Sequence, residues 1–333
     1  MAEDKPAFDP ASMMDSLYWW GIPTLFNCPH DGDPANCDIA LAGVPHSSGN
    51  GTTERDQHLG PRAVRNVSAM ARRVHMKYGF SPWDACKIHD VGDVPFPEAN
   101  DNEASIERMT AFYTTIDQAG ARPVSIGGDH SITGGIVQAL GGPQGKLTKG
   151  RKVALLHLDA HTDVYEHLDH FLGARKSAAH WGSYLVRQGN VDAERSVQIG
   201  IRGNARTLDW LQPSYDLGYE VITMDRYNEI GPEASMEIIK ERLGDMPVYI
   251  TFDLDCLDPT VAPAVSNLEP GCEGFKMNQA VQLLQSVRGL DIIGGDVVCM
   301  MPTKDHPNNI TAHVASSIMF EILSLIADRI STK

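Results

Sequence analysis

Short, continuous apolar runs recur along this 333-residue chain, and they constrain its fold more than any other feature. They are rich in Val, Ile and Leu and are bounded by Gly, Pro, Asn and Asp, which is typical of strands buried on both faces. The runs are DIALAGV (38–44), RPVSIGG (122–128), KVALLHL (152–158), SVQIGI (196–201), YEVITM (219–224), PVYITF (247–252) and LDIIGGDVV (290–298).

Helical patterns lie between several of these runs, and Gly- and Pro-rich stretches at 49–65 and 91–103 predict loops. Apolar residues at helical spacing predict helices over 104–120 and 233–244, and a packed terminal helix over 309–330. Strand–helix alternation favours a mainly parallel sheet covered by helices. We therefore predict a single α/β domain over 1–333. Residues 1–37 are an extension that packs on the domain or at a subunit interface.

Charge and cysteine content limit the class of protein. The net charge of −15 disfavours nucleic acid, whose phosphates it repels, and favours small cations. Six scattered cysteines without a CxxC pair predict reduced thiols and a cytoplasmic location. The N-terminus lacks the basic and then apolar pattern of a secretory signal. No membrane span is predicted.

Acids and histidines follow three of the predicted strands, at the end where ligands bind in open α/β sheets. In an extended chain, side chains at i, i+2 and i+4 point the same way. The polar residues of DAHTD (159–163) can therefore converge, as can the two acids of DLD (253–255). A single Asp after a strand is more often a turn or capping residue, but coincidence at three strand ends is a poor explanation. The candidate metal ligands are His130, Asp159, His161, Asp163, Asp253 and Asp255.

The charge of this ligand set predicts two divalent cations. Four carboxylates carry a charge of −4, which would cost several kcal/mol to bury or would be neutralised through pKa shifts. Oxygen ligands with some imidazole suit Mn²⁺, Ni²⁺, Co²⁺ or Zn²⁺. Two such ions about 3.5–4 Å apart can hold a bridging water as hydroxide, the nucleophile of a hydrolase.

The segments IGGDHS, LDAHTD and FDLDCLDP resemble the three signature segments of the ureohydrolases, the arginase–agmatinase family. GVPHSSG, LGPRAVR and HDVGDV are similar to its agmatinase-like branch. The resemblance covers nearly the whole chain and implies a three-layer fold, with a mainly parallel eight-stranded sheet flanked by helices. It also implies a binuclear metal centre that adds water to a guanidine-type carbon. On the same basis, His180 in SAAHWGS relays a proton to the leaving amine, and Asp163 is catalytic as well as a metal ligand.

Two segments depart from the family pattern, and both concern the substrate. Where the family has a glutamate that grips the guanidinium, in a segment like DVVEVNP, this chain reads DVVCMMP with Cys299. Where the family reads roughly APGTGTPEPGG, this chain reads APAVSNLEPGC (262–272). We therefore predict Cys299, Asn267 and Tyr165 as substrate-binding residues.

A substrate with methyl groups on nitrogen fits these departures. A buried guanidinium that loses its carboxylate partner loses several kcal/mol of binding, whereas a small, nearly apolar thiol suits methyl groups. We predict an N,N-dimethylated guanidine or biguanide: metformin would give guanylurea and dimethylamine, and dimethylguanidine would give urea and dimethylamine. Resemblance to family members that act on such compounds implies nickel, with manganese as the family alternative, and a hexamer that includes a homologous metal-free subunit.

Two alternatives remain open from the sequence. An agmatinase or guanidinobutyrase that releases urea requires another acid to hold the guanidinium. A non-catalytic binding subunit of a hetero-oligomer has no need of the intact ligand set.

Overall fold

The computed structural model describes residues 17, 19–51, 54–166, 168–170, 173–205 and 207–332. Within them, eight strands form one sheet in the order β2-β1-β3-β8-β7-β4-β5-β6, and each described pairing is parallel. The strands are β1 (Ile39–Val44), β2 (Ile88–Asp93), β3 (Arg122–Gly127), β4 (Ala154–Leu158), β5 (Val197–Ile201), β6 (Glu220–Thr223), β7 (Pro247–Asp253) and β8 (Asp291–Val298).

Helices connect and flank these strands. They are α1 (Gly60–Ser68), α2 (Pro82–Ala85), α3 (Asn102–Ala119), α4 (Ser131–Leu140), α5 (Trp181–Arg187), α6 (Gln212–Leu217), α7 (Met224–Leu243), α8 (Met277–Ser286) and α9 (Ile310–Ser331). Short 3₁₀ segments lie at Leu25–Asn27, Pro34–Asn36, Gln57–Leu59, Ala193–Arg195, Leu254–Cys256 and Pro302–Lys304.

Alternate residues of a strand enter two different hydrophobic clusters, because successive side chains point to opposite faces of a sheet. Leu41 of β1 belongs to the cluster that contains Ile322 of α9, whereas Ala42 belongs to the cluster that contains Met109 of α3. The sheet is thus packed on both faces. The predicted three-layer α/β fold with an eight-stranded sheet is confirmed.

No strand was predicted at the position of the edge strand β2, and its last three residues fall in the loop predicted over 91–103. Its sequence, IHDVGD, has no continuous apolar run. As the edge strand it pairs with β1, and on its other side the segment around His30 forms an isolated bridge to Asp90. The predicted loop 49–65 likewise contains the beginning of α1. Pro61 stands in the first turn of that helix, where the missing N–H has no cost.

The terminal helix α9 is the packed helix that the sequence predicts. By length and composition it could cross a membrane, but 78% of its apolar window is buried inside the protein. Its buried residues, such as Ile318 and Ile322, belong to the core under the sheet. Core helices commonly pass such a test, so the helix gives no support for a membrane span.

The predicted N-terminal extension, 1–37, is partly described, since residues 1–16 and 18 lie outside the described residues. Its later part packs on the domain: Leu25 and Phe26 are buried, and the Phe26 ring lies 5.9 Å from that of Trp83. Trp19 and Trp20 are 62% and 54% exposed. A subunit contact through these two rings stays a prediction.

Candidate metal centre and active site

The carboxyl ends of four central strands carry the candidate site. β3, β8, β7 and β4 are neighbours in the sheet and run parallel, so the residues that follow them meet at one edge. β3 leads to His130, β4 to Asp159, β7 to Asp253 and β8 to Cys299. The strand order therefore brings together chemistry that is dispersed over about half of the chain.

The structure brings all six predicted metal ligands together, in two groups. In the first group, His130 Nδ1 lies 2.9 Å from Asp159 Oδ2, 3.0 Å from Asp163 Oδ2 and 3.2 Å from Asp253 Oδ2. The histidine is fully enclosed, and Asp163 has a left-handed backbone with φ of 51°. Strained backbone of this kind is concentrated at functional sites.

The second group surrounds His161. Its Nδ1 lies 3.1 Å from Asp255 Oδ2 and 3.4 Å from Asp159 Oδ1. Asp159 thus presents one oxygen to each histidine. A carboxylate shared in this way can bridge two metal ions.

The donor atoms fit divalent cations. His130 Nδ1 and Asp255 Oδ2 are buried and have no hydrogen-bond partner in the part of the chain that the structure describes. Buried polar atoms without partners are rare and costly, and a cation within each group would satisfy both of them. Burial alone would lower the pKa of His130, but Asp159, Asp163 and Asp253 raise it well above its usual value. Burial and the charge of Asp253 raise the pKa of Asp255. Cations at this centre would replace such proton binding.

A hydrogen-bond chain orients His130 toward the acids. Its Nε2 lies 2.8 Å from Thr251 Oγ1, and the Thr251 hydroxyl donates to Asp296 Oδ1 at 2.7 Å. Because the hydroxyl proton is used on Asp296, the Thr251 oxygen accepts the Nε2 proton, and the lone pair of Nδ1 faces the acids. Asp296 also accepts hydrogen bonds from Tyr249 and Thr133. This network was not predicted from the sequence, since its members share no motif.

Neighbouring side chains orient the carboxylates. His157 is fully buried, with its Nε2 2.8 Å from Asp159 Oδ2. Trp181 Nε1 donates to Asp163 Oδ2 at 3.0 Å. Asp129 does not join the cluster. Its carboxylate accepts the backbone N–H groups of Gly49 and Asn50 instead.

His180, the predicted proton relay, lies directly before α5 and is buried. Its Nδ1 is 2.7 Å from Ser177 Oγ. Burial lowers the pKa of His180, and the charge of Asp163 acts in the opposite direction. A neutral imidazole near the acids can carry a proton, and the relay itself stays a prediction.

The three predicted substrate residues differ in how far they are buried. Cys299 is buried with φ of 69°, and its sulfur belongs to a cluster with His130 and Asp253 whose ligand atoms all lie within 4.8 Å of one another. Burial raises the pKa of Tyr165, which is half-buried and lies within the field of Asp163 and His161. Asn267 is exposed on the loop 262–272. The structure thus brings Cys299 to the metal ligands, and leaves Asn267 at the surface.

An eight-stranded parallel sheet carries a buried cluster of aspartates and histidines at the carboxyl ends of its central strands, and such a cluster is suited to a divalent metal pair that activates water. The Arginase family model matches residues 37–324, and the chain belongs to the arginase family. It is 36% identical over 330 residues to the guanidinopropionase of Pseudomonas aeruginosa, covering 98% of each chain. It is 34% identical to an agmatinase of Neisseria meningitidis, covering 87% of this chain and 88% of that protein.

Solved structures agree with this assignment. Proclavaminate amidino hydrolase from Streptomyces clavuligerus superimposes with a TM-score of 0.84 at 30% identity, over 94% of this chain and 99% of that chain. The protein is therefore a metal-dependent ureohydrolase that acts on guanidino compounds, as the sequence predicts.

Proposed function

We propose that this ureohydrolase cleaves an N,N-dimethylated guanidine or biguanide and releases dimethylamine. The supporting observation is the position of Cys299, whose buried sulfur lies beside His130 and Asp253 at the end of β8. Burial raises the pKa of the Cys299 thiol well above its usual value, so the thiol stays neutral. A neutral group therefore stands where the family resemblance places a carboxylate for the guanidinium.

The surroundings of Cys299 favour methyl groups over a charged nitrogen. Met300 and Met301, which follow it, are both buried. Methionine and thiol side chains are soft and nearly apolar, and they provide no partner for a guanidinium N–H. Loss of a buried carboxylate partner costs about 2–5 kcal/mol in comparable charge pairs.

The rebuilt loop 262–272 lies directly against this segment. Ser266 N donates to the Cys299 carbonyl at 3.1 Å, and Met301 N donates to the Ala264 carbonyl at 2.8 Å. The two departures from the family pattern thus form one continuous surface. On this basis we assign Asn267, which lies on the loop, to the substrate site, and we add Tyr165 because it lies within the electrostatic influence of Asp163 and His161.

When bound, a divalent metal pair supplies Lewis-acid activation of water and compensates the charge of the four aspartates. The His130 and His161 groups would hold the two ions, and Thr251 keeps the His130 imidazole in the tautomer that leaves Nδ1 free for one of them. In the proposed reaction, the water oxygen bonds to the substrate carbon and the bond to the dimethylamino nitrogen breaks. The attacking water releases a proton to neutral His180, and His180 gives a proton to the departing nitrogen, because an amide-like nitrogen leaves poorly without one.

A second candidate is a hydrolase of guanidino acids or agmatine that releases urea, and the names of the relatives favour it. This function needs an acid other than Cys299 to hold the guanidinium. Glu269 is an acid of the loop beside the centre, but its Oε1 already lies 3.2 Å from His161 Nε2. A non-catalytic binding subunit fits less well, since the full ligand set is brought together.

Metal identity, assembly and location are part of the same proposal. Nickel is the favoured ion and manganese the alternative, and metal analysis of the purified protein tests both. A hexamer that includes a homologous metal-free subunit is the proposed assembly, in the cytoplasm. Light scattering of the chain alone and of the chain with its partner tests the stoichiometry.

The variant Cys299→Glu tests the role of the thiol. Restoring a carboxylate should lower kcat/KM for dimethylguanidine and raise it for agmatine, each by at least about tenfold, or about 1.4 kcal/mol. Cys272→Glu is the matched control, because Cys272 is exposed at the end of the loop 262–272 and the substitution adds the same charge there. Unchanged selectivity in Cys299→Glu would rule out the proposed role.

A further inference from the structure

Glu269 lies on the loop 262–272 and is not one of the six predicted metal ligands, but it contacts one of them, His161. We propose that Glu269 is a positioning residue: it holds His161 in the tautomer that binds metal, and retention of the ion on the His161 side depends on it. The proposal concerns the metal centre alone and holds whichever guanidino compound is the substrate.

The two ring nitrogens of His161 face different partners. Nδ1 points into the cluster, 3.1 Å from Asp255 Oδ2, while Nε2 points outward, 3.2 Å from Glu269 Oε1. An ionised carboxylate only accepts hydrogen bonds, so the proton of a neutral His161 lies on Nε2. The lone pair of Nδ1 is then free for a cation, and the carboxylate also makes the imidazole a stronger donor to metal.

The carboxylate of Glu269 packs against the backbone of Gly203. Gly203 has φ of +93°, and a Cβ atom there would lie 2.4 Å from Glu269 Oε2. The glycine therefore leaves the space that the carboxylate occupies. The loop is also anchored at both ends to segments near the site, through Ser266 N to the Cys299 carbonyl and Phe275 N to the Cys256 carbonyl.

The two histidine ligands differ in what orients them. His130 is held by a neutral hydroxyl, that of Thr251, and is 1% exposed. His161 is held by a carboxylate and is 26% exposed. The ion on the His161 side is therefore the one that solvent and chelators reach more easily. Loss of Glu269 should weaken the binding of that ion and leave the ion at His130 in place.

The test is a metal titration of apoprotein that needs no substrate, with Mn²⁺ in competition against a chromophoric chelator. Glu269→Met keeps the chain length and removes the acceptor, whereas Glu269→Gln keeps an acceptor without the charge. Glu273→Met is the matched control, because Glu273 is 60% exposed near the same loop and pairs with Lys276. Wild type should show two binding events.

In Glu269→Met, the weaker of the two affinities should fall about 10- to 100-fold, as is usual when a partner of a ligating histidine is lost. At a free Mn²⁺ concentration that just fills both sites of wild type, the EPR spectrum should be that of an exchange-coupled pair in wild type and that of an isolated ion in Glu269→Met. Glu269→Gln should recover much of the affinity, and Glu273→Met should match wild type. Two ions bound by Glu269→Met with wild-type affinity and a coupled spectrum would overturn the proposal, as would an equal loss in Glu273→Met.

Discussion

Thr251 tests whether hydrogen bonds from residues of the sheet hold His130 in the orientation that binds metal. Its hydroxyl accepts from His130 Nε2 at 2.8 Å and donates to Asp296 Oδ1 at 2.7 Å. Thr251→Val keeps the shape of the side chain, is compatible with β7, and removes both hydrogen bonds. The His130 N–H then loses its acceptor, whereas Asp296 keeps its bonds from Tyr249 and Thr133.

The magnitude follows from these contacts. A buried donor left without an acceptor costs about 1–3 kcal/mol of stability. Loss of the partner of a ligating histidine typically lowers metal affinity about 10- to 100-fold, which is about 1.4–2.8 kcal/mol. Thr251→Val should therefore unfold at lower denaturant concentration and bind Mn²⁺ more weakly at the His130 side.

The assay pairs chelator-competition titration with urea denaturation of the apoprotein. Thr148→Val is the control, because Thr148 is equally buried and bonds only to the Leu140 and Gly145 carbonyls in the described hydrogen bonds. It should lose stability and keep its metal affinity. If Thr251→Val binds Mn²⁺ with wild-type affinity, the Thr251 hydroxyl does not orient His130 for metal binding.

Two further predictions concern His180 and Asp90. His180→Ala should lower kcat about 100- to 10,000-fold while both ions are retained, because the lost group supplies a proton and is not a ligand. Steady-state kinetics together with metal analysis of the variant checks this. A kcat near that of wild type would exclude His180 from the mechanism. Burial would raise the pKa of Asp90, but its hydrogen bonds and ion pair with Arg65 at 2.8 Å hold that pKa below the ordinary value of 3.8. The resulting stability is present above pH 3.8 and is lost as pH falls through the lower folded pKa. The difference in unfolding free energy between wild type and Asp90→Asn should therefore shrink below pH 3.8 in acid-denaturation curves, and a constant difference would exclude this ion pair as its source.

The central part of the fold was predictable from the sequence because interior strands of a parallel sheet must be apolar on both faces. All seven continuous apolar runs became strands, whereas β2, at the edge, was missed. Among the described strands it pairs with β1, and the polar residues His89 and Asp90 leave no continuous apolar run in its sequence.

The clustering of the six predicted metal ligands was predictable because each residue lies within a few positions of a strand end, in a compact motif. Their orienting partners were not. Thr251 and Asp296 are ordinary residues within β7 and β8, and their contact with His130 arises only when the strands pair. Glu269 likewise meets His161 across a separation of 108 residues. Such partners depend on the tertiary fold, which no local pattern encodes.

Both the sequence and the structure single out Cys299. The resemblance marked it as a departure at the position of a substrate-binding acid, and the structure places it beside His130 and Asp253 in a left-handed backbone. A non-glycine residue in that conformation carries strain, which is maintained mostly where function requires it. The ligand set stays whole while this position changes, which is the pattern of altered specificity rather than lost activity.

The most direct test is product analysis with the wild-type protein, reconstituted separately with Ni²⁺ and Mn²⁺. Dimethylguanidine, metformin, agmatine and 4-guanidinobutyrate would be offered, and dimethylamine and urea would be measured. We expect dimethylamine from a dimethylated substrate and no urea from agmatine. Urea from agmatine or 4-guanidinobutyrate, without dimethylamine from either dimethylated compound, would contradict this expectation.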